Sequence, residues 1–200
     1  MEKYNKKLTT SRKARPVTVF TRDRGPVVGY SHSLKCDGCA RSFYPSYYEE
    51  EDSSGDVRRT YCPSDVIGAT QDTYFEKSFL QTVKEDLFTL DARFTSIVDK
   101  YNTLYSHVDS QRDLKIRRLE IGFIINELHQ ILPNYSYPVM KGEYRELDLE
   151  ATCRDVYPEL KLVIDAKWRN HQCILCENRI VVMDGNAKCF RYYFVVGILN

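Results

Sequence analysis

The sequence predicts an α+β protein: a small N-terminal zinc-ribbon-like β module, a helical middle, and a C-terminal zinc knuckle with a short β-hairpin. Three observations predict it. Up to about residue 61, short β-branched and aromatic runs alternate with turn residues. From about residue 72, apolar residues recur at helical spacing. Two Cys-x-x-Cys pairs, Cys36–Cys39 and Cys173–Cys176, stand far apart, the second led by His171. The boundaries follow: a basic arm over 1–15, the β module over 16–64, the helical domain over 70–168, and the knuckle over 168–196.

Pro16-Val17-Thr18-Val19-Phe20 reads as a strand, and Asp23-Arg24-Gly25-Pro26 as a turn. Val27 to His32 is the returning strand, which leads into Cys36-Asp37-Gly38-Cys39. Two further strands are expected over Phe43–Tyr48 and Val57–Tyr61, with Glu49 to Asp56 as a solvated acidic tip between them. The first helix is expected from about residue 72, with Phe75, Phe79, Leu80, Val83, Leu87 and Leu90 on one face and Thr73 with Glu76 as a capping box. Phe94, Ile97, Val98, Tyr101, Leu104 and Tyr105 mark a second helix. A third runs from near Asp113 to Leu132 and stops at Pro133. Asn134 to Gly142 is a loop. Glu143 to Ala166 is helical in tendency, broken around Tyr157-Pro158, and delivers His171 and the second knuckle. The stripes on these helices lack inward clusters of His or acid, so they predict a packed bundle rather than a site.

The cysteines suit zinc better than disulfides. A Cys-x-x-Cys turn presents two sulfurs to one tetrahedral ion. Seven cysteines is an odd number, and no secretory leader precedes them, so an oxidising compartment is not expected. Cys173, Cys176 and Cys189 are candidate ligands of one ion, and His171 is either a fourth ligand or a partner standing behind one. Cys36 and Cys39 are candidates for another, with Cys62 or His32 to complete them. Cys153, among apolar helix neighbours, reads as a buried thiol.

Charge is balanced overall, 29 Lys and Arg against 28 Asp and Glu, but not locally. Residues 1–35 carry nine basic and two acidic side chains, a net of +7. Such an arm can neutralise phosphates irrespective of sequence; the plainer reading is a solvated N-terminus. No apolar run approaches the ~20 residues of a membrane span, so a soluble protein of nucleus or cytoplasm is expected. The apolar segment Tyr192 to Leu199, with no strand after it, suggests a fragment or an altered end.

Taken in order, these stretches carry a resemblance. They are Pro16 to Thr21 leading into Leu34-Lys35-Cys36-Asp37-Gly38-Cys39; Tyr44-Pro45-Ser46-Tyr47-Tyr48; Arg59-Thr60-Tyr61; Thr73-Tyr74-Phe75-Glu76-Lys77; Tyr101-Asn102; Trp168-x-x-His171-x-Cys173-x-x-Cys176; and Asp184-Gly185-Asn186-x-Lys188-Cys189-x-Arg191. The chain resembles the cysteine-cluster (CxC-type) modules that accompany KDZ-type transposases of eukaryotic DNA transposons. The resemblance implies zinc binding and service to a transposase through DNA or protein contacts. It departs from the pattern twice. The family has a further Cys-x-x-Cys pair upstream, where this chain has no cysteine before Cys36. It also has a cysteine near position 194, which is Phe194 here.

The functional expectation is a non-enzymatic, transposon-derived, zinc-binding accessory protein. Its basic arm would touch DNA and its helices a protein partner; its oligomeric state is left open. Two alternatives stand beside it. One is the start of an RNase H-like transposase core with Asp184 as first metal-binding acid. That reading needs further carboxylates, and none follows Asp184. Asp184-Gly185-Asn186 reads more simply as a tight turn. The other is a purely protein-binding zinc module. No Walker loop, Gly-x-Ser-x-Gly or His-Glu-x-x-His occurs.

Overall fold

Val17, Val19 and Phe20 are stiff or bulky at Cβ and favour extended backbone, and they form the heart of the longest strand pair. In the computed structural model, which describes residues 8–10, 13–39, 41–108, 112–140 and 147–169, β1 (Leu8–Thr10) precedes β2 (Arg15–Thr21) and β3 (Gly25–Ser31). β2 and β3 form a hairpin whose turn closes at Gly25, with φ of +73°. A Cβ there would meet the Tyr105 ring at 2.7 Å, so glycine is required on both counts. β4 (Leu34–Cys36), β5 (Ser42–Phe43), β6 (Tyr47–Glu51) and β7 (Val57–Tyr61) follow, then β8 (Val66–Gly68) and β9 (Thr73–Glu76). The remainder is α1 (Lys77–Thr89), α2 (Phe94–Tyr105), α3 (Ile116–Ile131), β10 (Ser136–Pro138) and α4 (Leu149–Arg169).

The strands make two sheets. One has six strands in the order β1-β4-β5-β6-β7-β10; the other has four, β3-β2-β9-β8. β2 and β9 run parallel, pairing Thr18 with Thr73 and Phe20 with Phe75. The four-stranded sheet is covered on both faces. On one, Phe20 and Phe75 stack at 5.4 Å and meet Phe79 of α1 and Tyr101 of α2. Leu80, Val83, Ile97, Leu119 and Ile125 complete this buried helical layer. On the other, the Tyr47 ring lies against Gly68, 2.9 Å from where a Cβ would stand; at the β8 edge, Tyr61 donates to the Gly68 carbonyl at 2.7 Å and the Gly68 N–H donates to Ser46 Oγ at 3.0 Å.

The architecture is α+β, with four helices and two sheets among the described residues. Four local expectations are corrected. Phe43–Tyr48 is not one strand: Tyr44 to Ser46 turn the chain, and Pro45 denies that stretch a ladder donor. The acidic run is not all solvated tip, because Glu49 to Glu51 lie in β6 and Glu49 is buried. Thr73 to Glu76 form β9 rather than a helix cap, and the Glu76 side chain caps nothing. A Phe75 seated opposite Phe20 explains why strand pairing wins over helical periodicity there. Finally, α4 runs through Pro158 without a break. Pro158 removes one backbone donor from the helix, and Val156 before it and Leu160 after it are both buried.

The chain divides into two compact units, residues 1–152 and 153–200. Both sheets and α1 to α3 lie in the first. The described part of the second is the 153–169 stretch of α4. α4 opens at Asp148, whose carboxylate accepts from the Ala151 N–H at 2.9 Å.

Candidate metal centre

β4 ends at Cys36, and Asp37 to Cys39 turn the chain toward β5. The Cys36 N–H donates to the Arg41 carbonyl at 3.1 Å, which closes the loop into a compact knuckle. Cys36 is buried and Cys39 exposed. β1 flanks the knuckle, with Leu8 opposite Cys36, and Thr9 Oγ1 lies 3.5 Å from the Asp37 carboxylate. Arg41, on the returning limb, pairs with Glu50 at 3.1 Å and lies over the Tyr48 ring at 4.9 Å. Its hydrogen bond to Glu50 is the main cause that raises its pKa. The loop is thus fixed on both limbs to the six-stranded sheet.

The other proposed donors of this site stand elsewhere. Lys35, Ser42, Glu49 and Arg59 form one row across β4 to β7. Cys36 lies one residue beyond that row on one side, and Cys62 three residues beyond it on the other. With three strand spacings between them, they are about 20 Å apart along the sheet. Two thiolates on one zinc stand within about 4 Å of each other. His32 is exposed in the connection between β3 and β4, which belong to different sheets. The structure therefore places Cys36 and Cys39 on one turn and leaves Cys62 apart from them. Among the described residues, no group of three or more His, Cys, Asp or Glu could hold a metal ion. A zinc held at this turn would take two of its four ligands from Cys36 and Cys39. His171, Cys173, Cys176, Cys189 and Asp184 lie outside the described residues, and Cys153 is half-buried in α4.

A second chemical feature lies in the same six-stranded sheet. Arg59 is fully buried and donates to Glu49 at 2.7 Å, itself only 3% exposed. The guanidinium lies 4.0 Å from the centroid of the Tyr47 ring, and Tyr61 and Tyr137 pack edge to face beside it. Burial alone would lower the Arg59 pKa; its neighbours Tyr47, Tyr61 and Glu49 outweigh that and hold it raised. Burial holds the Tyr47 and Tyr61 phenols above their ordinary value, so they stay un-ionised at neutral pH. Burial pushes the Tyr61 phenol up to about 12. The signal was present as Tyr47-x-Glu49 and Arg59-x-Tyr61. Both have period two, and antiparallel pairing sets Tyr47 against Tyr61 and Glu49 against Arg59.

Comparison with known proteins fits this cysteine turn on a ribbon of short strands. A family model described as "CxC5 like cysteine cluster associated with KDZ transposases" matches residues 1–105. The chain belongs to this family. No curated protein and no solved structure matches it significantly. The CxC5-like segment contains the Cys36–Cys39 knuckle, nine of the ten described strands, α1 and α2. It does not contain α3 or β10, yet α3 packs on Phe75 and β10 pairs with β7. The family segment is thus completed by residues beyond it. Membership makes this a cysteine-cluster module of the kind associated with transposases. No described helix is long and apolar enough to cross a membrane.

Proposed function

We propose that this CxC5-like chain is a non-enzymatic, zinc-binding accessory protein of transposon origin, which contacts DNA through its basic N-terminal region and a protein partner through its helices. The observation that carries the reading is the Cys36–Cys39 turn, pinned by Arg41 at the rim of a multi-stranded sheet in a cysteine-cluster family. Cys36 and Cys39 would hold one zinc, and Cys173, Cys176 and Cys189 with His171 would hold a second; bound zinc would cross-link short segments that bury little apolar surface. The arm (1–15), β module (16–64), helical domain (70–168) and knuckle (168–196) remain the working division of labour.

The test is zinc per chain in protein purified without added metal. Two ions are expected, falling to one in Cys36→Ser/Cys39→Ser and to one in Cys173→Ser/Cys176→Ser. Cys62→Ser should leave the count unchanged, because Cys62 is remote from the knuckle. A metal-free protein whose fold survives chelator would overturn the reading. Loss of zinc in the Cys62 variant would overturn the ligand assignment.

A further inference from the structure

The open end of the β2–β3 hairpin forms a small cavity of about 40 Å³, lined by Lys13, Arg15, Ser31, Ser33, Tyr44 and Gln71. Its construction follows from register. Arg15 and Ser31 are directly paired, so their side chains leave the same face of the hairpin. Lys13 and Ser33, two residues further out on each limb, line the same cavity. Tyr44 comes from the turn after β5 and Gln71 from the connection between β8 and β9. Ser31 and Ser33 are buried at 8% and 7% exposure. Ser31 Oγ and Tyr74 Oη lie 3.2 Å apart in a hydrogen bond.

The lining comprises two cations, three hydroxyls and one amide, with no carboxylate. The Arg15 guanidinium donates to Gln71 Oε1. That neutral partner orients the group without cancelling its charge and leaves further N–H donors for another acceptor. The nearest acid in sequence, Asp72, is committed to Thr70, Thr73 and Arg118. Neither Lys13 nor Arg15 makes an ion pair among the described residues. A fixed guanidinium, an ammonium and hydroxyls around a space larger than one water suit a single tetrahedral oxyanion.

We propose that this cavity seats one backbone phosphate of a bound nucleic acid, and so anchors the otherwise sequence-independent contact of the basic region at one point. The proposal rests on the nucleic-acid reading above and sharpens it. Lys13 and Arg15 supply charge, the serines orient the oxyanion, and Gln71 holds the guanidinium in place.

The experiment is duplex-DNA binding by the full chain, followed by fluorescence anisotropy across a salt series. Lys13→Ala/Arg15→Ala should bind at least about tenfold more weakly and reduce the salt slope by about 1. Gln71→Glu, nearly isosteric, should weaken binding comparably by placing a carboxylate in the cavity. Arg93→Ala/Arg117→Ala removes the same charge from the helical side and should bind as the parent does. Inorganic phosphate should displace DNA from the parent more effectively than chloride of equal ionic strength, and lose that advantage in Gln71→Glu. If both double variants weaken binding equally, the cavity is not an anchor and only diffuse attraction remains. If phosphate binds the cavity while the Lys13 and Gln71 variants bind DNA normally, the site serves free phosphate and the proposal falls. If the parent shows no salt-sensitive DNA binding, the nucleic-acid reading itself falls, and this inference with it.

Discussion

The four-stranded sheet buries phenylalanines; the six-stranded sheet buries an arginine. In the first, Phe20, Phe75 and Phe79 stack in series beneath α1 to α3. Fully burying each aromatic removes apolar area worth roughly 1.5–3 kcal/mol, and no polar group needs matching. In the second, Tyr47, Tyr61 and Tyr137 surround the Arg59–Glu49 pair. There the ion pair must offset its own desolvation, so its presence is weak evidence of net stabilisation. The contrast separates two kinds of tolerance. A phenylalanine layer penalises changes of volume, whereas an ion pair in a tyrosine cage penalises the loss of one partner.

The largest effect should come from breaking the pair on one side. Arg59→Leu leaves Glu49 buried without its cation and should cost about 3–5 kcal/mol in chemical denaturation. Glu49→Leu/Arg59→Met should recover most of that loss. If the single variant costs less than about 1 kcal/mol, Glu49 tolerates the loss of its cation and the polar layer is not constrained by the pair. The second effect tests the apolar layer by overpacking. A Cβ on Gly122 would lie 2.4 Å from Phe75 Cδ2, and Phe75 is fully buried. Gly122→Ala should cost about 1–3 kcal/mol, and Phe75→Leu in the same chain should relieve part of it. Additivity of the two changes would contradict direct contact.

The smallest effect is alkaline and belongs to the tyrosine cage. The folded-state pKa of Tyr61, raised by burial from 10.0 to about 12, means that the native state retains its proton where the unfolded chain has lost it. Its contribution is therefore complete below pH 10 and is lost as pH rises through about 12. Tyrosinate absorbance and backbone circular dichroism should change together in that window. Ionisation of the buried tyrosines at ordinary pH, with the fold intact, would open the cage to solvent and remove the contrast.

Much of the helical layer was legible because amphipathic spacing is written locally. Ile97, Val98 and Tyr101 of α2 and Leu119 and Leu128 of α3 are buried as their periodicity implies. Sheet partnership was not legible. Phe75 keeps helical spacing with Phe79, yet it pairs in parallel with Phe20, a contact no local pattern announces. Nor does the Pro16–Thr21 strand reveal that its hairpin joins the sheet under the helices instead of the one bearing the cysteine turn. The Cys36–Cys39 turn was visible from spacing alone. Which donors lie near it was not, because the positions of Cys62 and His32 depend on strand register. Glu49 heads an acidic run, which by itself implies solvation; only cross-strand pairing exposes its bond to Arg59.

The incompleteness of the family segment has a consequence for synthesis. Strands β1 to β9 leave the ribosome before α3, whose Gly122 covers Phe75, and before β10, the last strand of the six-stranded sheet, whose Tyr137 lies opposite Arg59. At ordinary elongation rates of about 5–20 residues per second, that delay lasts several seconds. During it the nascent chain presents a greasy sheet face and an unpaired β7 edge at the same time. Such a chain is a natural client for chaperones that hold apolar surface, and its vulnerability ends only when α3 and β10 dock.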